Sequence, residues 1–369
     1  MSRPAPHATA PAAPVVIANH GLRHSGGIEA YLRTLVRGLH ARGIRPTVVA
    51  KKFDRSMEEC GWVDAVPVSM LGIPGKLRDR WFDLRLRRLK ARRGWFPLIA
   101  LNQTAAADIA VCGSNHPAHL AAMGRERPGL ADRWKISLER AHLERSRVVV
   151  AHSRLLAAQV VAHYGIAPEK IVVAHPPVDT ARFSPVSDAR RAALREHLGL
   201  PADRAVFLLA STDHARKGLD LAVQAVAMGD KPACLVVAGR PPGVEAPQLR
   251  YLGYRSDIED IYRAVDATLM CSRYEPFGLV GVESVCCGTP VVVEAGAGCA
   301  EVLQGAGALP FRLDGVGSLE AAVSMAIGRW QAGTLRVREP SAALGYDPSV
   351  QAHLDILLDW VQRLHDGGR

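Results

Sequence analysis

The chain has 369 residues, of which 48% are hydrophobic, 22% charged and 5% aromatic, and its formal net charge is +10. This length fits two packed domains, and the composition is that of a soluble protein with largely aliphatic cores. No apolar run approaches the roughly 18 residues of a membrane-spanning helix. The seven cysteines include no C-x-x-C pair, which favours buried free thiols over a metal site or a disulfide framework.

The positive charge is concentrated in the first half of the chain. Residues 1–185 contain 28 Lys and Arg against 14 Asp and Glu, whereas the remainder contains 18 against 22. Such an asymmetry predicts that the N-terminal half meets an anionic partner, either a membrane surface or nucleic acid.

The first half shows an alternation of strand and helix signals. Residues 1–14 are rich in proline and alanine and lack an apolar signal-peptide core, so a flexible tail is expected there. The apolar run that begins at Val15 is typical of a parallel strand buried on both faces. A polar loop, a helical pattern from Ile28 to Leu39 and a second strand over 46–50 follow. With further strands at 109–111, 148–150 and 170–174, this pattern predicts an open parallel sheet over residues 15–180.

A second α/β set follows a proline-rich linker, His175–Pro185. Over residues 181–349 the strands AVFLLAS, CLVVAGR, ATLMCS and PVVVEA alternate with helical patterns. The C-terminal residues 350–366 carry apolar side chains at helical spacing, and this helix is expected to pack back on the first domain.

The strongest chemical signal is the segment RYEPFGLVGVESVCCGTPVV, residues 273–292. Glu275 lies at the carboxyl end of a strand, where open parallel sheets bind ligands. Phe277, Gly278 and Leu279 are expected to begin a helix, whose free N–H groups can meet phosphate or sugar oxygens. Glu283, one turn further, can accept two ribose hydroxyls. The alternative, two surface glutamates on an ordinary strand–loop–helix, is disfavoured by the E-P-F-G loop and the G-T-P-V-V exit together.

Two further loops point to a phosphate-bearing ligand. Arg216 and Lys217, just before Gly218, present two cations where a diphosphate can sit, unless they are merely solvated residues at a helix start. Gly26 and Gly27 lie in the first βα turn, where bare backbone can approach phosphates. The turn has no G-x-G-x-x-G, which argues against an NAD-dependent dehydrogenase.

Taken together, these stretches resemble the family 4 glycosyltransferases, with E-P-F-G-L, V-E-S and G-T-P-V-V forming that family's E-x7-E signature. S-G-G-I-E-A-Y-L-R, H-S-R-L-L and V-V-A-G-R extend the resemblance over nearly the whole chain, and D-H-A-R-K-G is similar to the stretch in lipopolysaccharide core glucosyltransferases. The resemblance implies the GT-B fold: two facing Rossmann-like domains with parallel sheets and an interdomain cleft. It also implies a retaining hexosyltransferase that uses a nucleotide diphosphate sugar, UDP-glucose first, and needs neither a metal nor another cofactor. The implied acceptor is a cell-envelope saccharide or glycolipid such as lipopolysaccharide core.

The same resemblance suggests roles for single residues. Glu275 would hold the transferred sugar, and Arg216 and Lys217 would stabilise the leaving diphosphate, although Thr212 stands where many members have an additional arginine. His116, preferred over His119, would contact the sugar from the N-terminal domain. Arg255 would lie near the nucleotide base.

The segment Lys76–Arg93 contains nine basic and two acidic residues, with Leu77, Trp81 and Leu84 at helical spacing. Such a helix can lie on anionic lipid, cover the core as a solvated face or, least favoured, bind nucleic acid. The first interpretation predicts a cytoplasmic protein that is peripheral on the inner face of the cell membrane.

Two other functions fit the same architecture: a nucleotide-sugar epimerase and a non-catalytic nucleotide-sugar-binding protein. The intact pair of Glu275 and Glu283, with the adjacent Arg216 and Lys217, argues against a decayed site.

Overall fold

A computed structural model describes residues 13–24, 26–228, 230–314 and 316–367. Most of the expected tail, residues 1–12, lies outside the described residues, whereas Ala13 is buried in the core of the first unit. The chain divides into two compact units. The first contains the residues up to Ala121, Arg125–Pro177 and those from Ser349 onward, and the second contains Ala122–Gly124 and Val178–Pro348.

The first unit is built on a parallel sheet of seven described strands in the order β3-β2-β1-β4-β5-β6-β7. Its central strands are buried on both faces, as their unbroken apolar runs predict. The strands are β1 Val16–Leu22, β2 Thr47–Phe53, β3 Asp64–Pro67, β4 Leu98–Ala100, β5 Ile109–Cys112, β6 Val148–Ala151 and β7 Ile171–Val173.

The six described α-helices that begin in this unit are α1 Gly27–Ala41, α2 Arg78–Arg93, α3 His116–Ala122, α4 Leu130–Arg145, α5 Arg154–Tyr164 and the C-terminal Val350–Gly367, called α12. The C-terminal helix packs on α1. The Tyr31 hydroxyl lies 2.6 Å from His353 Nε2, and Arg42 forms a 2.8 Å ion pair with Asp355.

The helix α2 contains most of the basic segment 76–93. The apolar residues that anchor it are not the three that the sequence pattern singled out, Leu77, Trp81 and Leu84. Phe82 and Leu86 are fully buried against the sheet, so they anchor the helix. Trp81 is half-buried and donates its indole N–H to the Ser69 carbonyl at 3.1 Å. Of the three residues predicted to face lipid, only Leu77 is well exposed.

The second unit contains a parallel sheet of six described strands in the order β10-β9-β8-β11-β12-β13. These strands are β8 Ala205–Ser211, β9 Ala233–Gly239, β10 Leu249–Gly253, β11 Ala267–Met270, β12 Val291–Glu294 and β13 Ala308–Phe311. Its helices are α6 Asp188–His197, α7 His214–Lys217, α8 Leu219–Ala222, α9 Ile258–Ala264, α10 Leu279–Cys286 and α11 Val316–Gln331.

The apolar pattern over residues 218–228 predicts one helix, and the structure is helical from Leu219 to Ala227 but not α-helical throughout. Gly218 adopts a left-handed conformation (φ +71°) between α7 and α8, and a π-helical turn over Val223–Ala227 follows. A Cβ atom on Gly218 would lie 2.3 Å from the Cys271 carbonyl oxygen, so only glycine fits here.

In the second unit, β9 and β10 follow β8 towards one edge of the sheet, whereas β11, β12 and β13 extend towards the other edge, so the order changes direction between β8 and β11. In a doubly wound sheet this switch point opens a crevice beyond the carboxyl ends of the strands. The loops after β8 and β11, which carry the predicted cations and the first glutamate, are therefore neighbours.

All seven cysteines are free thiols, six buried and Cys60 half-buried, as the sequence predicts. Within the part of the chain that the structure describes, no helix has the length and apolar character needed to cross a bilayer.

The stability of the first unit should depend on pH through its buried histidines. Burial lowers the pKa of His142 and His353 to about 4 and that of His152 to about 3. These rings are neutral in the folded unit but take up protons near pH 6.5 when it unfolds. The free energy of unfolding should therefore fall as the pH drops from about 6.5 towards 4, by up to about 1.4 kcal/mol per pH unit for each ring.

Urea unfolding between pH 7.5 and 4.5 measures the slope of the unfolding free energy against pH. His142→Gln removes one titrating ring and should flatten the slope, whereas His163→Gln, at an exposed position, should leave it unchanged. An equal slope in the wild type and in His142→Gln would contradict the prediction.

Candidate active site

The loops after β8 and β11 are joined by hydrogen bonds. The Arg273 backbone N–H donates to the Arg216 carbonyl at 2.8 Å, and its guanidinium forms a 2.6 Å ion pair with Asp220. The Arg216 guanidinium in turn donates to the Tyr274 carbonyl at 3.0 Å. The two loops therefore behave as one structural element at the switch point.

Glu275 lies at the centre of this element, with its side chain only 10% exposed. Its Oε2 atom accepts from Lys217 Nζ at 2.5 Å, from Ser272 Oγ at 3.1 Å and from Arg216 Nη1 at 3.4 Å. Burial alone would raise the pKa of this carboxyl, but Lys217 and Arg216 outweigh burial and lower it. The two predicted cations are thus bound by a buried carboxylate and are not a solvated pair.

The loop around Glu275 is fixed from its far side by the segment after β12. The Gly298 N–H donates to the Glu275 carbonyl at 2.9 Å, and the Cys299 N–H donates to the Phe277 carbonyl at 2.6 Å. A Cβ atom on Gly298 would lie 2.0 Å from the Pro276 carbonyl oxygen. This close approach of two backbones requires glycine.

The helix α10 begins at Leu279, so the prediction that it begins at Phe277 is wrong. Phe277 is buried in the core, and Gly278 is the N-cap in a left-handed conformation (φ +96°). The N–H groups of Leu279 and Val280 belong to the first turn, where helix geometry provides no intrahelical acceptor.

Glu283 lies on α10 in a different electrostatic environment from that of Glu275. Burial raises the pKa of Glu283 to about 7, although a hydrogen bond from Tyr262 and the positive charges of Arg182 and Lys217 act in the opposite direction. The Tyr262 hydroxyl donates to Oε2 at 3.1 Å. At neutral pH this carboxyl can therefore exist in either protonation state.

Arg255 follows the edge strand β10 and forms a bidentate pair with Asp257, at 2.9 and 2.6 Å. Asp257 raises the pKa of the Arg255 guanidinium. The charge of Arg255 is thus balanced inside its own loop.

In the first unit, Gly26 is the N-cap of α1 and Gly27 is its first residue. Gly26 has an ordinary φ of −63°. A Cβ atom would have no neighbour within 4 Å at Gly27 and only Glu29, at 3.9 Å, at Gly26. The fold of this unit therefore has no steric or conformational need for glycine at either position.

His116 begins α3, at the carboxyl end of β5, and its polar groups are bound within the first unit. Its Nε2 lies 3.0 Å from Asp132 Oδ1, and its backbone N–H donates to Glu139 Oε2 at 2.9 Å. Asp132 also accepts from Arg125 at 2.6 Å. The His116 ring is thus oriented by a carboxylate, and its side chain is still 20% exposed.

Sequence reasoning missed three residues of this site: Tyr262, Ser272 and Arg182. Tyr262 lies on the apolar face of α9, and a buried tyrosine hydroxyl requires a partner, which is the signal that could have identified it. Ser272 is the second residue after β11. Arg182, in the expected linker, donates to Glu259 Oε2 at 2.7 Å. Across the described ranges, no group of three or more His, Cys, Asp or Glu side chains is arranged to hold a metal ion.

Comparison with known families matches both halves of the chain. The family model described as Glycosyltransferase Family 4 matches residues 25–182, and the model described as Glycosyl transferases group 1 matches residues 190–308.

Two curated proteins illustrate the similarity. A probable transglycosylase of Burkholderia thailandensis is 44% identical over 344 residues, which cover 92% of this chain and 94% of that protein. A D-inositol 3-phosphate glycosyltransferase of Acidothermus cellulolyticus is 29% identical over 326 residues, covering 74% and 71% of the two chains.

Solved structures confirm the fold. The chain is similar to WaaG, a glycosyltransferase involved in lipopolysaccharide biosynthesis, with a TM-score of 0.72 and 16% identity over 96% of this chain and 98% of that one. It is similar to Anabaena HepE in complex with UDP and glucose, with a TM-score of 0.75 and 17% identity over 95% and 100%. The GT-B class predicted from the sequence is thus confirmed.

The close packing at Gly298 gives a testable consequence. Gly298→Ala places a methyl group against the Pro276 carbonyl, so the loop that carries Glu275 must move, and we expect a loss of at least about 2 kcal/mol in unfolding free energy. Gly328→Ala is the matched control, since Gly328 lies within α11 with no neighbour inside 4 Å. That change should stabilise the protein by about 0.5–1 kcal/mol. Thermal unfolding of both variants measures the difference, and equal melting temperatures would contradict this packing argument.

Proposed function

Since the chain belongs to the glycosyltransferases that join a family 4 half to a group 1 half, we propose that it transfers a hexose from a nucleotide diphosphate sugar to a saccharide or glycolipid acceptor of the cell envelope. UDP-glucose is the first candidate donor, and the reaction retains the anomeric configuration and uses no metal. The observation that carries this proposal is the cluster of Arg216, Lys217 and Glu275 at the switch point of the second unit.

The geometry of the cluster suits a departing diphosphate. Lys217 Nζ is held 2.5 Å from Glu275, and its charge also acts on Glu283. Arg216 is fixed by the Tyr274 carbonyl. Fixed cations need no reorganisation when negative charge grows on the leaving group, so they can take the part that a metal ion plays elsewhere.

The remaining assignments follow from position. Glu275 would hold hydroxyls of the transferred sugar, the first turn of α10 would present N–H groups to the donor, and Glu283 would accept the ribose hydroxyls. His116 would contact the sugar with its ring oriented by Asp132. Arg255, beyond β10, would lie near the base.

The first βα turn supplies separate support. Gly26 and Gly27 are not required by the fold, because neither has a left-handed backbone or a steric clash. Glycine there is explained if a ligand phosphate approaches the start of α1, where unpaired N–H groups and the helix dipole favour an anion.

Donor binding tests the proposal directly. Calorimetry with UDP-, GDP- and ADP-sugars in the presence of EDTA should show one donor that binds in the micromolar range. Lys217→Ala should weaken that donor about 10- to 100-fold, because it removes a charge-assisted phosphate contact. Gly27→Ala should weaken it at least tenfold without lowering the melting temperature, since a methyl group there meets no protein atom.

Gly328→Ala serves as the control and should bind donor like the wild type. Binding that requires a divalent cation would contradict metal independence, and inversion at the anomeric carbon, read by proton NMR of the product, would contradict retention. Conversion of the donor to its epimer without an acceptor would support the epimerase alternative instead.

A surface of the first unit bears on the acceptor. Leu71 and Leu130 are 92% and 75% exposed, and Leu77 and Trp134 are 43% and 46% exposed. The Arg80 guanidinium lies 5.7 Å from the Trp134 ring, so the first turns of α2 and α4 are adjacent. A groove of about 390 Å³ lies between these helices, and its lining includes arginines as well as Leu84, Leu138 and Ala141.

Exposed apolar tips set among arginines fit an anionic lipid surface. The first turns of helices lie at the carboxyl ends of parallel strands, the edge at which such sheets bind ligands. We therefore propose that this surface docks on the inner face of the cell membrane and that the acceptor is membrane-anchored. The relation of WaaG to lipopolysaccharide agrees with an envelope acceptor.

Vesicle sedimentation tests the surface. The protein should bind phosphatidylglycerol vesicles, and the double variant Leu130→Ser/Trp134→Ser should bind at least tenfold more weakly. The control is Val161→Ser/Ile356→Ser, which changes two apolar residues outside this surface, 36% and 37% exposed, on α5 and α12. If the two double variants bind vesicles equally well, the basic face of α2 is simply solvated. Tight, salt-sensitive binding of DNA in place of vesicles would favour a nucleic-acid partner.

A further inference from the structure

Tyr262 is a fully buried side chain whose only polar atom points at a proposed donor-binding residue. Its hydroxyl donates to Glu283 Oε2 at 3.1 Å, across the contact between α9 and α10. The ring packs against Phe183, with centroids 6.1 Å apart. The Tyr262 carbonyl accepts from Thr289 Oγ1 at 2.6 Å. The tyrosine is therefore held at both its ring and its backbone, so that the position of its hydroxyl oxygen is fixed.

The groups that face Glu283 come from several elements. Tyr262 and Glu259 lie on α9, Lys217 lies on α7, and Arg182 precedes α6. Arg182 is itself occupied by Glu259 and by the Ser256 carbonyl, each at 2.7 Å. The Tyr346 hydroxyl and the thiols of Cys286 and Cys287, on or beside α10, also lie close enough to interact electrostatically with this carboxylate. Among the described side chains, the Tyr262 hydroxyl is the group hydrogen-bonded to the Glu283 carboxyl.

We propose that Tyr262 is a positioning residue of the donor site, whose hydroxyl orients the Glu283 carboxylate and favours its ionised form, so that Oε1 is directed to the ribose hydroxyls. This inference rests on the role proposed for Glu283 above. A carboxylate can accept from two hydroxyls, whereas the protonated acid offers one acceptor fewer. Orientation and charge state therefore both determine how well the nucleoside is held.

The pH dependence of this pair follows from the direction of each effect. Burial raises the pKa of Glu283 to about 7, and the bond from Tyr262 lowers it from where burial alone would place it. Loss of the hydroxyl should thus raise that pKa further. Nucleotide binding should weaken as the pH falls through about 7 in the wild type, and the midpoint should lie at a higher pH without the hydroxyl.

Tyr262→Phe removes the hydroxyl and keeps the ring. Calorimetry with UDP from pH 5.5 to 9 should show that this variant binds UDP roughly tenfold more weakly than the wild type at pH 7. The midpoint of the pH dependence of UDP binding should lie at a higher pH than in the wild type. With donor, KM should rise and kcat should change little. The double variant Tyr262→Phe/Glu283→Gln should bind UDP no more weakly than Glu283→Gln alone, because Tyr262 acts only through that carboxyl. Additive losses, or an unmoved midpoint, would overturn the proposal.

Two controls separate this outcome from others. Tyr31→Phe removes another buried hydroxyl, the one bonded to His353; it should lower the melting temperature and leave the UDP titration unchanged. Glu283→Gln should weaken UDP but not 2′,3′-dideoxy-UDP, which lacks the ribose hydroxyls. If it weakens both equally, or neither, the assignment of Glu283 fails, whatever Tyr262→Phe does. If GDP or ADP binds in place of UDP, the same titrations use that nucleotide and its dideoxy form.

Discussion

The ion pair between the buried carboxylate of Glu275 and the ammonium group of Lys217, 2.5 Å apart, determines the arrangement of the second unit's site. A buried carboxylate without a partner costs several kcal/mol, so the loops after β8 and β11 cannot separate without a large loss. Gly218 and Gly298 allow this arrangement, since each brings two backbones closer than any Cβ atom permits. The resulting cations are fixed by the protein itself, which is the preorganisation that their proposed role on a leaving diphosphate requires.

The two glutamates of the E-x7-E signature have opposite environments, although eight positions separate them in sequence. Cations lower the pKa of Glu275, whereas burial raises that of Glu283 to about 7. One carboxylate therefore stays charged and holds cations, while the other responds to its surroundings near neutral pH. This difference follows from packing. Glu283 lies where α10 packs against α9, whereas Glu275 lies in a loop beside Lys217.

The first unit has a different character. Its helix α2 carries eight basic and two acidic residues, and the buried Phe82 and Leu86 fix this helix to the sheet so that the arginines point outward. The exposed apolar side chains of this surface lie outside α2. Leu77 immediately precedes that helix, and Leu71, Leu130 and Trp134 lie outside the basic segment altogether. Charge and apolar contact are thus supplied by different elements, and the proposed docking on an anionic lipid surface rests on their combination.

The sequence by itself determined the two α/β halves, the parallel strands and the loops that carry chemistry, because apolar runs, turn residues and the E-x7-E spacing are local signals. It misplaced the start of α10 at Phe277, since a left-handed Gly278 cannot be distinguished from a helical residue by pattern. It also did not identify Glu283 as the hydrogen-bond partner of the Tyr262 hydroxyl. Only the tertiary structure decided that β8 lies beside β11, and with it the meeting of Lys217 and Glu275, 58 residues apart. Strand order depends on non-local packing of helices on both faces of a sheet, and no window of neighbouring residues contains that information.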